Sequence, residues 1–128
     1  MKTCDMTIAD LIGKTLVSVS GAKHDDEIKF VTKDGYTFLF NHHYNCCEGV
    51  WVEDIDNDLD VLIGNPILSA EEIISNDESI PPAENHSECW TWTFYKFSTI
   101  KGSVTIRWFG TSNGYYSESV DLDVTKTR

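Results

Sequence analysis

Positive charge is scarce in this chain. Ten lysines and arginines stand against 21 aspartates and glutamates, a formal net charge of −11, and Arg107 and Arg128 are its only arginines. A surface of that sign repels nucleic-acid phosphates at long range, so general DNA or RNA binding is not expected. The surplus carboxylates either keep the protein soluble or meet a basic partner. Long apolar runs are missing too. None approaches the ~20 residues of a membrane-spanning helix, and Met1–Lys14 lacks the apolar stretch of a secretory signal. Without an export signal, the four cysteines, Cys4, Cys46, Cys47 and Cys89, are expected to be free thiols or metal ligands in a cytosolic protein. Neither an internal repeat nor an inter-domain linker is visible. The 128 residues are expected to fold as a single domain, 1–128, burying about two thirds of the unfolded surface.

What is present is β-patterning. Thr15–Ser20 alternates and is β-branched. Glu27–Thr32 and Tyr36–His42 flank Lys33-Asp34-Gly35, and Asp-Gly is a strong hairpin signal. Val50–Asp54 reads as a further strand, Ile55–Asp60 as an acidic loop or a single helical turn, and Thr7–Ile12 as a short helix capped by Thr7 and ended by Gly13. Ile67–Ser75 fits a helix by propensity and a strand by its neighbours, and strand is the reading adopted. Asn76–Glu88, with Pro81-Pro82, is a polar surface loop. The expected fold is mostly β (α+β): antiparallel sheets with Asp-Gly and Asn-Gly hairpins, a C-terminal three-stranded meander, and one or two short helices.

That meander, Trp90–Asp123, holds three of the four tryptophans and Arg107. Trp90, Trp92 and Phe94 alternate with Thr91, Thr93, Tyr95 and Phe97, and Val104, Ile106 and Trp108 alternate with Thr105, Arg107 and Phe109. Asn113-Gly114 is the dipeptide of a type I′ turn. The face with Trp92 and Ile106 is expected to be core. The other, with Tyr95, Phe97 and Phe109 and Arg107 beside them, is apolar as well and implies a second layer, a subunit interface or a ligand. Arg107, Trp108, Tyr115, Asn113 and Trp90 are the candidate ligand-binding residues: aromatic rings stack on planar ligands, and an arginine contacts phosphate.

Two other groupings carry chemistry. His43 to Cys46 and His86 to Cys89 share a His-x-x-Cys spacing, and two such hooks could make a Cys₂His₂ zinc site. Equally, Cys46 and Cys47 read as small residues at a strand end. A cysteine nucleophile beside His42 or His43 has the right residue types, but neighbours along a strand point to opposite faces. The acidic run Glu53–Asp60 has Leu59 and Asn65 where an EF-hand loop needs Gly and Glu, which excludes an EF-hand and leaves a solvated acidic loop, with a looser cation site as the alternative.

The blocks Cys46-Cys47-Glu48, Ile63–Glu72 (IGNPILSAEE), Trp92–Tyr95 and Thr105–Glu118 (TIRWFGTSNGYYSE), with the opening Ile12–Leu16, resemble an uncharacterised family of small proteins of tailed bacteriophages and prophages. The resemblance implies no activity and no catalytic residue. It implies a viral accessory protein in the cytoplasm of a bacterial host. On this footing the first expectation is a non-enzymatic counter-defence factor that sequesters a small nucleotide-like signalling ligand in a pocket at a homo-oligomer interface. The second is an acidic inhibitor that mimics nucleic acid and blocks a host defence protein, using Glu53–Asp60 and Glu71–Glu78. The third is a zinc-dependent or cysteine enzyme. No cofactor other than that zinc is expected, and no membrane partner.

Overall fold

Strand alternation and two glycine-bearing turns lay out most of the architecture. A computed structural model describes residues 2–44, 46–75, 81–83, 89–114 and 116–126. It contains nine strands: β1 (Lys2–Cys4), β2 (Leu16–Ser20), β3 (Ile28–Thr32), β4 (Tyr36–Asn41), β5 (Gly49–Ile55), β6 (Ser69–Ser75), β7 (Cys89–Thr99), β8 (Gly102–Ser112) and β9 (Asp121–Lys126). They form two antiparallel sheets, one ordered β1-β9-β4-β3-β2 and the other β5-β8-β7-β6. The helical content of the described residues is two 3-10 turns, Ile8–Leu11 behind Thr7 and Leu59–Leu62 behind Asp58. The fold is therefore mostly β, without the α-helix that an α+β label expects among these residues. Ser69–Ser75 is a strand, as read from its neighbours.

The hairpin at Lys33-Asp34-Gly35 joins β3 to β4, and Gly35 takes the positive φ of 94° that the turn requires. The C-terminal meander does not form. β7 and β8 make a long hairpin through Ile100-Lys101, but β9 leaves it and pairs with β1 and β4 in the other sheet. Asn113-Gly114 thus opens a crossover rather than a hairpin. Two contacts hold that crossover down. Glu118 accepts hydrogen bonds from Thr91 Oγ1 and Ser112 Oγ, and its carbonyl lies so close to Gly110 that a Cβ there would come within 2.2 Å of it.

The two sheets meet through aromatic rings. Phe30 of β3 packs edge-on against Phe97 of β7 with centroids 5.1 Å apart, and Phe40 of β4 lies 5.0 Å from Tyr95. Ile28, Phe38 and Val124 join them from the first sheet, and Val50, Val52, Val104, Ile106 and Trp108 from the second. The faces of β7 are the reverse of those expected: Tyr95 and Phe97 join Ile106 in the inter-sheet core, and Trp92 lies with Phe109 and Arg107 on the other side, because the register pairs Tyr95 with Ile106 and Trp92 with Phe109. The buried Tyr95 hydroxyl donates to Glu72 Oε2 at 2.7 Å, and burial followed by that carboxylate pushes its pKa up.

The core makes a direct prediction. Phe97→Ala removes a wholly buried ring that touches both sheets and should destabilise the fold by about 3–5 kcal/mol. Equilibrium guanidinium unfolding reads this as a lower midpoint at unchanged slope. A loss below about 1 kcal/mol would place Phe97 outside the core.

Candidate functional site

Strand register decides what the second sheet offers to solvent. With Tyr95, Phe97, Ile106 and Trp108 facing the core, the opposite face carries two cross-strand rows. In the first, Trp51, Phe109, Trp92 and Ser75 stand opposite one another across β5, β8, β7 and β6. In the second, Asp54, Arg107, Phe94 and Ile73 do. Lys96 pairs with Thr105 one step further on. A register shift between Val52 and Asp54 creates this arrangement on β5. It turns Ile55 inward opposite Ile106 and puts Asp54 on the outer face opposite Arg107.

The first row is largely closed. Phe109 rings lie 5.2 Å from Trp51 and 4.9 Å from Trp92, and the Trp92 indole N–H donates to the Pro81 carbonyl at 3.1 Å. Phe109 is fully buried in consequence. Trp51 adds a hydrogen bond to Glu53 Oε1 at 2.9 Å, and its ring lies over Gly49, where a Cβ would come within 2.8 Å.

The second row is open. Asp54, Asp56, Phe94, Lys96, Thr105 and Arg107 line a hollow of about 330 Å³, at the small end of ligand sites. The Arg107 guanidinium lies over the Trp92 ring, 5.0 Å from its centroid. Its Nε is buried and makes no hydrogen bond among the described residues. A buried donor without a partner is uncommon enough to ask what would satisfy it. Asp56 is occupied, accepting from the Thr105 N–H at 2.7 Å.

The candidate residues divide accordingly. Arg107 faces the hollow. Trp108 is buried on the core side of the same strand, so it cannot stack on a ligand that Arg107 touches. Trp90 pairs with Thr111 near the sheet end, and Asn113 lies in the bend beyond β8. Tyr115 lies outside the described residues. Phe94 belongs to the aromatic strip that the sequence offers as a stacking platform, whereas Lys96, Thr105 and Asp54 were not singled out as ligand residues. Thr105 shares the face of Arg107 by alternation along β8, and placing the β7–β8 turn at Ile100-Lys101 would have brought Lys96 beside it. The shift on β5 leaves no sequence mark.

The histidine–cysteine segment serves another purpose. His42, 1% exposed at its side chain, contacts Glu48 Oε2 through Nε2 at 2.9 Å, and Glu48 is 0% exposed. His42 Nδ1 lies 2.6 Å from the Ser119 carbonyl. A carbonyl only accepts, so Nδ1 is the donor in that contact. Residues 42–48 cross from β4 to β5, and 113–120 cross from β8 to β9. The His42 contacts therefore clasp both inter-sheet crossovers at one end of the molecule. Both ring nitrogens are engaged, so His42 is not free to activate a thiol. Cys46 is joined to Cys47 by a disulfide, in place of the free thiols expected there, and its backbone N–H donates to Glu48 Oε1. In that form Cys46 offers no thiolate to a metal. Cys89 is a free, exposed cysteine at the start of β7, and His86 lies outside the described residues. Among the described residues no cluster of three or more His, Cys, Asp or Glu is arranged to hold a metal ion.

His43 is exposed and hydrogen-bonded to Asp123 Oδ2 at 2.8 Å, with Asp121 Oδ2 3.8 Å away. The Asp123 bond raises the His43 pKa above its ordinary 6.5, and the His43 bond, with help from Asn41, lowers that of Asp123 below 3.8. The two acidic runs of the sequence do not merge. Glu53–Asp60 runs from the end of β5 into the second 3-10 turn and Glu71-Glu72 lies on β6, with β5 and β6 at opposite edges of the second sheet, and Asp77 and Glu78 lie outside the described residues.

Residues 9–122 match a family described as a domain of unknown function, DUF7448. The chain belongs to the DUF7448 family. No curated protein and no solved structure matches it. In this DUF7448 domain no helix among the described residues is long and apolar enough to cross a membrane.

Two outcomes follow. His42→Ala should cost about 1–3 kcal/mol, because it removes the buried contacts to the Glu48 carboxyl and the Ser119 carbonyl; chemical unfolding measures it, and a near-zero change would remove the clasp from the account. The His43–Asp123 pair should stabilise the fold most at pH values between 3.8 and 6.5. Its contribution should fade as pH rises through the raised His43 pKa, and again as pH falls through the lowered Asp123 pKa. The difference between wild type and His43→Asn in unfolding midpoint, measured at pH 5.5 and 8.5, should shrink at the higher pH.

Proposed function

We propose that this protein is a non-enzymatic binding protein of a phage or prophage, which sequesters a small nucleotide-like signalling ligand in the cytoplasm of a bacterial host and so counters host defence. One observation carries the reading: the Arg107 guanidinium, laid over Trp92 with an unpartnered buried Nε, faces an open hollow that also holds Lys96 and Phe94. An aromatic ring receives the face of a base, and two cations receive a phosphate. The overall charge of −11 favours a small ligand over a polymer. A compact nucleotide needs only the local cations, whereas a long nucleic acid meets the whole acidic surface.

The second reading, an acidic inhibitor that mimics nucleic acid, draws its support from the β5 flank alone, where Asp25 and Val52 are tied backbone to backbone and Asp54, Asp56, Asp58 and Asp60 follow. A pulldown from host lysate that recovers a stoichiometric basic protein would favour it.

Isothermal titration of the full chain with cyclic dinucleotides and cyclic ADP-ribose isomers tests the first reading. At least one of them should bind, and Arg107→Ala should weaken that binding by tenfold or more while leaving the melting temperature within a few degrees. Absence of heat with every one of these ligands would remove the proposal's main support.

A further inference from the structure

The hollow contains a carboxylate as well as cations, and its state is informative. Asp54 stands directly opposite Arg107 in the β5–β8 register. The ion pairs of the described residues nonetheless belong to Lys14, His42 and His43, and none joins Asp54 to Arg107. Asp54 also accepts no hydrogen bond among the described residues, in contrast to Asp56, whose Oδ1 is taken by the Thr105 N–H. An acceptor-only group and a donor-only group thus line one hollow without closing on each other, with the Phe94 ring beside them. A ligand that satisfies both must offer hydrogen-bond donors on one side, acceptors or negative charge on another, and a flat face to the ring.

Resting on the nucleotide reading above, we infer that this hollow selects guanine, with Asp54 reading the base and Arg107 and Lys96 holding phosphate. A carboxylate has two oxygens that only accept. Guanine presents two adjacent N–H donors, N1–H and the exocyclic N2 amine, and can engage both oxygens at once. Adenine sets the N1 lone pair beside its amine, so a bidentate approach would press an acceptor against the carboxylate. Cytosine has the same mismatch, and uracil has one N–H between two carbonyls. Asp54 is half-buried, and a mismatched edge that displaces its water without replacing those hydrogen bonds is costly.

The test is a titration series on the full chain with matched ligands: cyclic di-GMP against cyclic di-AMP, and guanosine, inosine and adenosine 5′-monophosphates. A bidentate base contact discriminates by roughly tenfold or more. The guanine member of each pair should bind at least that much tighter than the adenine member. Inosine, which lacks the N2 amine, should fall between. Asp54→Asn should bring the guanine and adenine affinities together while retaining adenine binding, since the carboxamide keeps one acceptor and gains a donor. The series on wild-type protein stands whether or not that variant folds. Equal affinity for guanine and adenine ligands, or preference for adenine, overturns the guanine inference and leaves nucleotide binding intact. Failure of every ligand to bind overturns both.

Discussion

Pairing of β7 with β8 is the constraint on which the rest of the molecule depends. A strand has two faces, and this hairpin carries aromatic residues on both. The turn at Ile100-Lys101 puts Phe97 opposite Val104 and Tyr95 opposite Ile106, and so fixes one face as the surface that meets the first sheet. The same register puts Trp92 opposite Phe109 and Phe94 opposite Arg107 on the other side. A shift of one residue would exchange the two faces. The inter-sheet core and the candidate ligand surface are therefore two consequences of a single alignment.

Charge follows the same division. The chain's few cations are not spread evenly over its acidic surface. Lys14 pairs with Asp34 at 2.7 Å, and the bond lowers the Asp34 pKa below 3.8, whereas Arg107 is held against an aromatic ring. A guanidinium over an indole keeps its charge and loses part of its water, which makes its remaining N–H groups stronger donors to an anion. Holding it there requires the indole to be fixed in turn, and the bond from Trp92 to the Pro81 carbonyl does so. The clasp of His42, Glu48 and Ser119 acts at a greater remove. It orders the crossover into β5, whose first residues bring Gly49 under Trp51 and so seat the aromatic row beside the hollow.

Much of this was legible in the sequence, for physical reasons. The Asp34-Gly35 hairpin, the strand at Ser69–Ser75 and the alternation along β7 and β8 are local, and local rules describe them. Arg107 could be assigned to a solvent-side strand face because it alternates with apolar residues. The fate of the last strand was not legible. Asn113-Gly114 has hairpin chemistry, and Gly114 does adopt a positive φ of 95°. The chain fails to return because Glu118 bonds to Thr91 and Ser112 and β9 finds its partners in β1 and β4, far away in sequence. Trp108 was misjudged as a stacking residue for a related reason: adjacency to Arg107 along a strand guarantees the opposite face. The vicinal cysteines and His43 looked like chemistry because their residue types are those of metal sites and nucleophiles. Glu48 binds the Cys46 N–H and His42, and Asp123 binds His43, so these residues tie the segment to the fold.

The central claim is that ligand meets the outer face of the second sheet and leaves its core face untouched. Proton–nitrogen NMR separates the two, because Trp92 and Trp108 carry indole N–H groups on opposite faces of the same hairpin, and the buried Arg107 Nε–H reports on the guanidinium that borders the hollow. On titration with cyclic di-GMP, the Arg107 Nε–H and Trp92 indole signals should shift together and saturate, while the Trp108 indole signal stays in place. Shifts centred on Trp108, or a saturating response that leaves Arg107 and Trp92 unmoved, would contradict the account.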